Sequence, residues 1–93
     1  MELRFVVVYQ KEVVTKDIPA LSREWSERIR SAIENKLTSQ PEIFGKPLRR
    51  SLAGYRKLRI GDYRVVFKIE KRTITILAIL HRSVVYQMIE KRV

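Results

Sequence analysis

The chain has 93 residues, 45% of them hydrophobic, enough for one small folded domain with one core and too apolar for a disordered tail. It has no cysteine, which excludes disulfides and thiolate metal sites, and no apolar run near the ~18 residues of a membrane span. Its net charge of +10 arises in one half: residues 1–44 carry seven basic and seven acidic side chains, residues 45–93 thirteen basic and three acidic ones.

A one-sided field of this kind faces a polyanion such as nucleic acid, an anionic membrane or an acidic protein. The alternative is a solvated basic face kept for solubility, and the asymmetry weighs against it. The opening MELRFVVVYQKE is too short in its apolar part for a signal peptide and lacks a small-residue cleavage site, so the expected location is cytoplasmic, with no membrane partner.

In chain order, Leu3 to Tyr9 is apolar and β-branched and is predicted as a strand. Residues 10–19 form a short helix or turn, stopped near Asp17-Ile18-Pro19. Ser22 is a candidate cap for a second helix. There Trp25, Ile29, Ile33 and Leu37 recur every four residues with charges between them, giving an amphipathic helix that ends before Pro41. Trp25 is read as core. Residues 41–54, PEIFGKPLRRSLAG, read as an irregular connector.

Tyr55–Ile60 and Tyr63–Ile69 are predicted strands around Gly61-Asp62, and glycine at the first loop position suits a type II′ hairpin turn. Glu70–Arg72 makes the next turn. Thr73–Leu80 (TITILAIL) is apolar on both faces and reads as a central strand. Ser83 is expected to cap a last helix from Val84 to Arg92. The fold class expected is α+β: a four-stranded, mainly antiparallel sheet with two N-terminal helices packed on it and a short C-terminal helix, in the order β-α-α-β-β-β-α, forming a single domain over residues 1–93.

The two-residue loop fixes the hairpin register. Arg59 faces Arg64, Lys57 faces Val66 and Ile60 faces Tyr63. Alternation assigns Leu58, Ile60, Tyr63, Val65, Phe67 and Ile69 to the core face. Tyr55, Lys57, Arg59, Arg64, Val66 and Lys68 go to the outer face. Directly opposed like charges destabilise a sheet by a few tenths to about 1 kcal/mol. A phosphate would relieve that repulsion, because guanidinium forks match phosphate oxygens. Asp62 or Glu70 could instead neutralise the pair. A second constellation, LHRSVVY (residues 80–86), leads from the central strand into the last helix and carries His81, Arg82 and Tyr86. Taken alone, His81 is more often structural than catalytic.

With these residues in view, the chain resembles the RelE/ParE toxins of type II toxin–antitoxin pairs, and the RelE branch most. The resemblance rests on GKPLRRSLAGYRKLRIGDYRVVF (residues 45–67), on IENKLTSQPEIFGKPL and on HRSVVY (residues 81–86). It implies a toxin that cuts mRNA in the ribosomal A site without a metal or other cofactor, the RNA 2′-hydroxyl attacking the adjacent phosphate. The resemblance puts Lys57 at the general base, Arg59 at a phosphate-binding arginine and Arg64 at the arginine that stabilises the pentavalent phosphate. It puts Arg82 at the group assisting the leaving 5′-oxygen, and Tyr86 at the residue that stacks or positions a codon base. Tyr55 stands where some active members have a second lysine. His81 stands where the best-known member has another base, and could itself supply acid or base chemistry.

The residues allow that chemistry. Asp62, Glu70 and Glu90 are scattered, which argues against two-metal cleavage, and one histidine cannot supply a two-histidine mechanism. Cations remain: positive neighbours favour the neutral form of an amine, and Arg59 and Arg64 lie beside Lys57. Lys46, Arg49, Arg50, Arg56, Lys68, Lys91 and Arg92 are assigned to sequence-independent phosphate contacts with ribosomal RNA, with Arg56 pointing toward the core side where its stem could snorkel. The expected partners are a cognate antitoxin, the ribosome and mRNA. The alternatives are a ParE-like poison of DNA gyrase without nuclease activity, and a degenerate RNA-binding homologue.

Overall fold

The computed structural model describes residues 4–93; Leu3, the expected start of the first strand, lies outside them. Five strands form one sheet: β1 (Val6–Tyr9), β2 (Lys46–Pro47), β3 (Arg56–Ile60), β4 (Tyr63–Glu70) and β5 (Thr73–His81). Their order is β1-β5-β4-β3-β2. Only β1 runs parallel to its neighbour, β5; the other pairs are antiparallel.

The sequence reading expected four strands. The fifth, β2, is a two-residue edge strand inside the segment read as irregular. Two residues, one of them proline, are too few to show an alternating pattern. The same segment also holds the short helix α3 (Pro41–Phe44) and a 3-10 turn at Arg50–Leu52.

The helical elements follow their signals more closely. Residues 11–20 are helical, with a π-helical turn at Val13–Asp17 leading into α1 (Ile18–Ala20). Pro19 therefore lies inside the segment. It stands where the π-helical turn passes into α1, and it gives no backbone hydrogen bond to the preceding turn. The second helix begins where expected: the Trp25 N–H donates to Ser22 Oγ at 3.2 Å. α2 (Arg23–Ala32) continues into a π-helical turn at Ile33–Leu37. Ile29, Ile33 and Leu37 are fully buried, and Trp25 packs at their edge with its ring centroid 4.9 Å from that of Tyr63.

α4 (Val85–Ile89) is shorter than predicted, and Ser83 does not cap it. The Ser83 hydroxyl lies 2.8 Å from His81 Nδ1 instead. After Ile89 the chain continues in turns, the Lys91 N–H donating to the Met88 carbonyl at 3.2 Å and the Arg92 N–H to the Ile89 carbonyl at 2.9 Å.

The sheet is covered on both faces. The N-terminal helices bury Leu58, Val65, Phe67, Ile74, Ile76 and Ile79 beneath Val13, Ile29, Ile33 and Leu37. On the other face α4 and the 3-10 turn enclose a smaller core of Leu52, Val66, Leu77, Ala78, Val85 and Ile89. The outer face is thus not the open charged surface that alternation alone suggested, since Val66 lies within this second core. A bulge in β5 supports it. Val66 pairs with Ala78 and Phe67 with Ile76, so Leu77 is an extra residue, and neighbours Leu77 and Ala78 both reach the second core.

β1 ends at Tyr9, and the edge of β5 beyond Ile76 would be left without partners. Asp17 and Arg92 fill the gap. Asp17 Oδ2 accepts from Ile79 N at 2.9 Å, and Arg92 donates to the Leu77 carbonyl at 3.1 Å. The two side chains also pair in a fork, at 2.7 and 2.8 Å, with Glu12 3.4 Å from the guanidinium. Both side chains are about 95% buried or more. Hydrogen bonding to Asp17 holds the Arg92 guanidinium above its ordinary value. The expectation that Arg92 contacts phosphate is overturned, because a buried, fully bonded arginine is closed to RNA.

Gly45, between α3 and β2, approaches the core too closely for any side chain. A Cβ there would overlap Cζ of Phe67, which is fully buried and cannot give way. Gly45→Ala is therefore expected to destabilise the fold by about 1–3 kcal/mol, an overpacking cost. The change in urea midpoint measures it.

Candidate functional site

The β3–β4 hairpin has the register read from its loop: Ile60 opposite Tyr63, Arg59 opposite Arg64, Lys57 opposite Val66. Gly61 sits at φ +57 at the first loop position, as a II′ turn requires. The added strand β2 brings a second opposed pair of like charges, Lys46 against Lys57. Two such pairs lie side by side at one sheet edge, each a local cost with no structural return.

Neither Asp62 nor Glu70 relieves them. Asp62 lies 3.5 Å from Arg82, and Glu70 lies 3.2 Å from Lys68. Arg64 instead donates to the carbonyls of Gly61 and Tyr63, at 3.0 and 2.9 Å. Those bonds fix its guanidinium without neutralising it. Among the described residues neither Arg59 nor Arg64 has a carboxylate within 4.0 Å.

Two clefts meet at Lys57. The first, of about 370 Å³, is lined by Lys36, Phe44, Lys46, Lys57, Arg59 and Arg64, with Leu58 at its base. The second, of about 380 Å³, runs beneath α4 and includes Arg49, Arg50, Lys57, Tyr86 and Glu90. The Lys57 amine donates to the Tyr86 hydroxyl and lies 5.2 Å from the centroid of its ring. Tyr86, half exposed on α4, is thus joined to a residue 29 positions earlier.

The structure therefore brings together Lys57, Arg59, Arg64 and Tyr86, with Lys46, Arg49 and Arg50 around them. Arg82 stands at the hairpin tip, held by Asp62 through its side chain and through its own N–H to the Asp62 carbonyl at 2.8 Å. His81 pairs with Tyr63 across the β4–β5 ladder and so shares the helix-covered face, away from Lys57. Its ring meets Tyr63 edge-on at 5.6 Å, and its Nδ1 accepts from the Ser83 N–H at 3.2 Å.

The remaining cations divide. Arg56 turns inward as its alternation implied, donating to the carbonyls of Glu42 and Gly45 at 3.4 and 2.9 Å, and ties α3 to β3. Lys68 pairs with Glu70, outside both clefts. Lys91 is exposed on the C-terminal turn. Sequence reasoning missed Lys36 and Phe44. The available signal was an aromatic inside a basic, Pro/Gly-broken connector.

The arrangement defines a small basic α+β protein whose cation-lined clefts meet at one lysine on a β-hairpin. Residues 9–86 match the family described as the ParE toxin of type II toxin–antitoxin system, parDE, and the chain belongs to that family, in its RelE-like branch. It is similar to the toxins RelG and RelE of Mycobacterium tuberculosis, 43% identical to each over 53 and 54 residues, or 55% and 56% of this chain. The matched part spans 61% and 56% of those two proteins. Among solved structures it is similar to a chain of the toxin–antitoxin complex RelBE2 from the same organism. There the TM-score is 0.80 and the identity 30%, covering 85% of this chain and 99% of the other.

Proposed function

We propose that the chain is a ribosome-dependent mRNA endonuclease, the toxin of a pair whose antitoxin holds it in check. The observation that carries this reading is the meeting of the two cationic clefts at the Lys57–Tyr86 contact. Cleavage by the RNA itself forms an O2′–P bond and breaks the P–O5′ bond. The 2′-hydroxyl must lose a proton and the departing 5′-oxygen must gain one. Lys57, beside the Tyr86 hydroxyl, is the group this reading assigns to the first transfer. Arg59 and Arg64 supply charge to the phosphorane as it develops; guanidiniums without carboxylate partners are suited to that. Arg82 meets the leaving oxygen as an electrostatic stabiliser, since an arginine does not readily give up its proton, and solvent water supplies the proton that oxygen takes up. In this reading it first exchanges Asp62 for the RNA. Tyr86 orients the base beside the cut. His81, turned to the other face, has no part in the proton transfers.

So sparse a set suits an enzyme whose substrate is held in line by the ribosome. Lys46, Arg49, Arg50 and Lys91 serve sequence-independent phosphate contacts. The RelBE2 structure is of a toxin–antitoxin complex, which supports an antitoxin for this chain too.

A second reading is favoured by the family description, which bears the name ParE. A ParE-like gyrase poison would bind its target without cutting RNA, and would have no use for an amine–phenol contact between two cationic clefts. The names of the relatives and of the RelBE2 structure favour the nuclease. Primer extension on a reporter mRNA in a purified translation system separates the two. Cuts within codons that require ribosomes are expected. An uncut message, with gyrase-linked DNA breaks on expression, would establish the second reading.

A further inference from the structure

Phe44 is out of place as a structural residue. It belongs to neither core and is 38% exposed beside Ile43, which is 70% exposed. An exposed ring set among cations is the pairing that single-stranded nucleic acid uses, its bases stacking on rings and its phosphates meeting the cations. Lys36, on the π-helical turn that ends the second helix, holds its ammonium 5.5 Å from the Phe44 ring centroid. Both line the first cleft with Lys46, Lys57, Arg59 and Arg64, and among the described residues no acidic one lines it.

The two clefts share Lys57, and each contains one exposed aromatic ring, Tyr86 in one and Phe44 in the other. A phosphodiester joins two nucleosides. A strand whose phosphate rests at Lys57 has one nucleoside on each side, and the protein offers a ring and cations on each side. The edge strand β2 divides the two, with Lys46 lining the first cleft and Pro47 the second. We propose that the cleft of Phe44 and Lys36 is a second nucleotide subsite for single-stranded RNA. In it Phe44 stacks the base across the central phosphate from Tyr86, and Lys36 takes the next phosphate along.

The stacking is sequence-tolerant, because every base has a π face. The Lys36 ammonium, resting over the ring, is the group an arriving phosphate draws aside. This inference rests on the RNA-cutting reading for the identity of its ligand, but its test needs neither ribosome nor cleavage.

The probe is a fluorescein-labelled 2′-O-methyl RNA hexanucleotide, which cannot be cut, followed by anisotropy at low salt with the whole chain. Phe44→Ala is expected to weaken binding about tenfold, the loss of one stacked base. Phe44→Tyr retains it. Phe44→Leu, which keeps apolar bulk without a π face, does not restore it. Lys36→Gln lowers the slope of log affinity against log salt by about 0.7, one phosphate's worth for a single strand. A probe with an abasic site at the stacked position binds wild type and Phe44→Ala alike. Equal affinity of wild type and Phe44→Ala for the intact probe would overturn the inference and leave Phe44 to a protein partner. Full rescue by Phe44→Leu, or a wild type that fails to bind at all, would overturn it as well. Phe44-dependent binding by a chain that cuts nothing would sustain the subsite while removing the nuclease reading. Cutting with Phe44-independent binding would do the reverse.

Discussion

Arg64→Ala is expected to reduce ribosome-dependent mRNA cleavage by about 10²–10³, the usual cost of removing one preorganised donor from a developing oxyanion. The size follows from how Arg64 is held. Two backbone carbonyls of its own hairpin fix the guanidinium, and among the described residues no carboxylate lies within 4.0 Å of it. It is therefore in position before substrate arrives, and its charge is available in full. Arg64→Lys keeps the charge but loses the two-carbonyl clamp and the planar fork, so it is expected to recover only part of the rate. The fold should survive both changes, because removing Arg64 also removes its repulsion with Arg59. A melting temperature at or slightly above wild type, with cleavage lost, separates this outcome from unfolding. Loss of cleavage in step with loss of fold would show a structural role only.

The second large effect is on stability. Arg92→Ala is expected to cost about 3–5 kcal/mol, since it leaves the Asp17 carboxylate buried without its partner and the Leu77 carbonyl without a donor. In a domain of this size that lowers the midpoint of thermal unfolding by roughly 15 °C or more. Asp17→Ala also strands the Ile79 N–H and should cost as much. The double variant is expected to be more stable than the sum of the two losses implies, because no unpaired charge remains. Thermal melts of the three variants and the wild type measure the coupling. A simple sum would mean that the pair is incidental.

Much of the frame was legible because one periodicity and one loop carry strong local signals. The four-residue recurrence of Trp25, Ile29, Ile33 and Leu37 and the Ser22 cap gave the second helix. The two-residue loop at Gly61-Asp62 gave the hairpin register and hence the opposed arginines. What was not legible depended on contacts between distant residues. Asp17 and Arg92 are 75 positions apart, and nothing local marks either as buried. An arginine in a basic C-terminal turn reads as a surface cation until the bare edge of β5 is seen to need it. The second core was hidden for a similar reason. Val66 alternates with charged residues and reads as outer, while the bulge at Leu77 that helps to cover that face has no sequence signature.

The candidate site's spatial grouping was legible for its central members and less so at its margins. Lys57 and Tyr86 were named from separate segments and prove to be in contact. Lys46 joins through the pairing of β2 with β3, a strand too short to predict. His81, one residue from Arg82 in sequence, is turned to the other face by the alternation of β5, since its partner Tyr63 packs beneath the helices. Adjacency in sequence is thus a poor guide at a strand end, where a step of one residue changes the face of the sheet.

The measurement that bears most directly on the central reading uses a ribosome programmed with an mRNA carrying a single 2′-deoxy nucleotide at the position that is cut. Cleavage through the RNA's own hydroxyl is expected to stop at that position while the all-ribose message is cut to a 2′,3′-cyclic phosphate and a 5′-hydroxyl, and Lys57→Ala is expected to abolish the cut. Cleavage persisting at the 2′-deoxy position, or unchanged in Lys57→Ala, would contradict the assignment of this chemistry to the clefts that meet at Lys57.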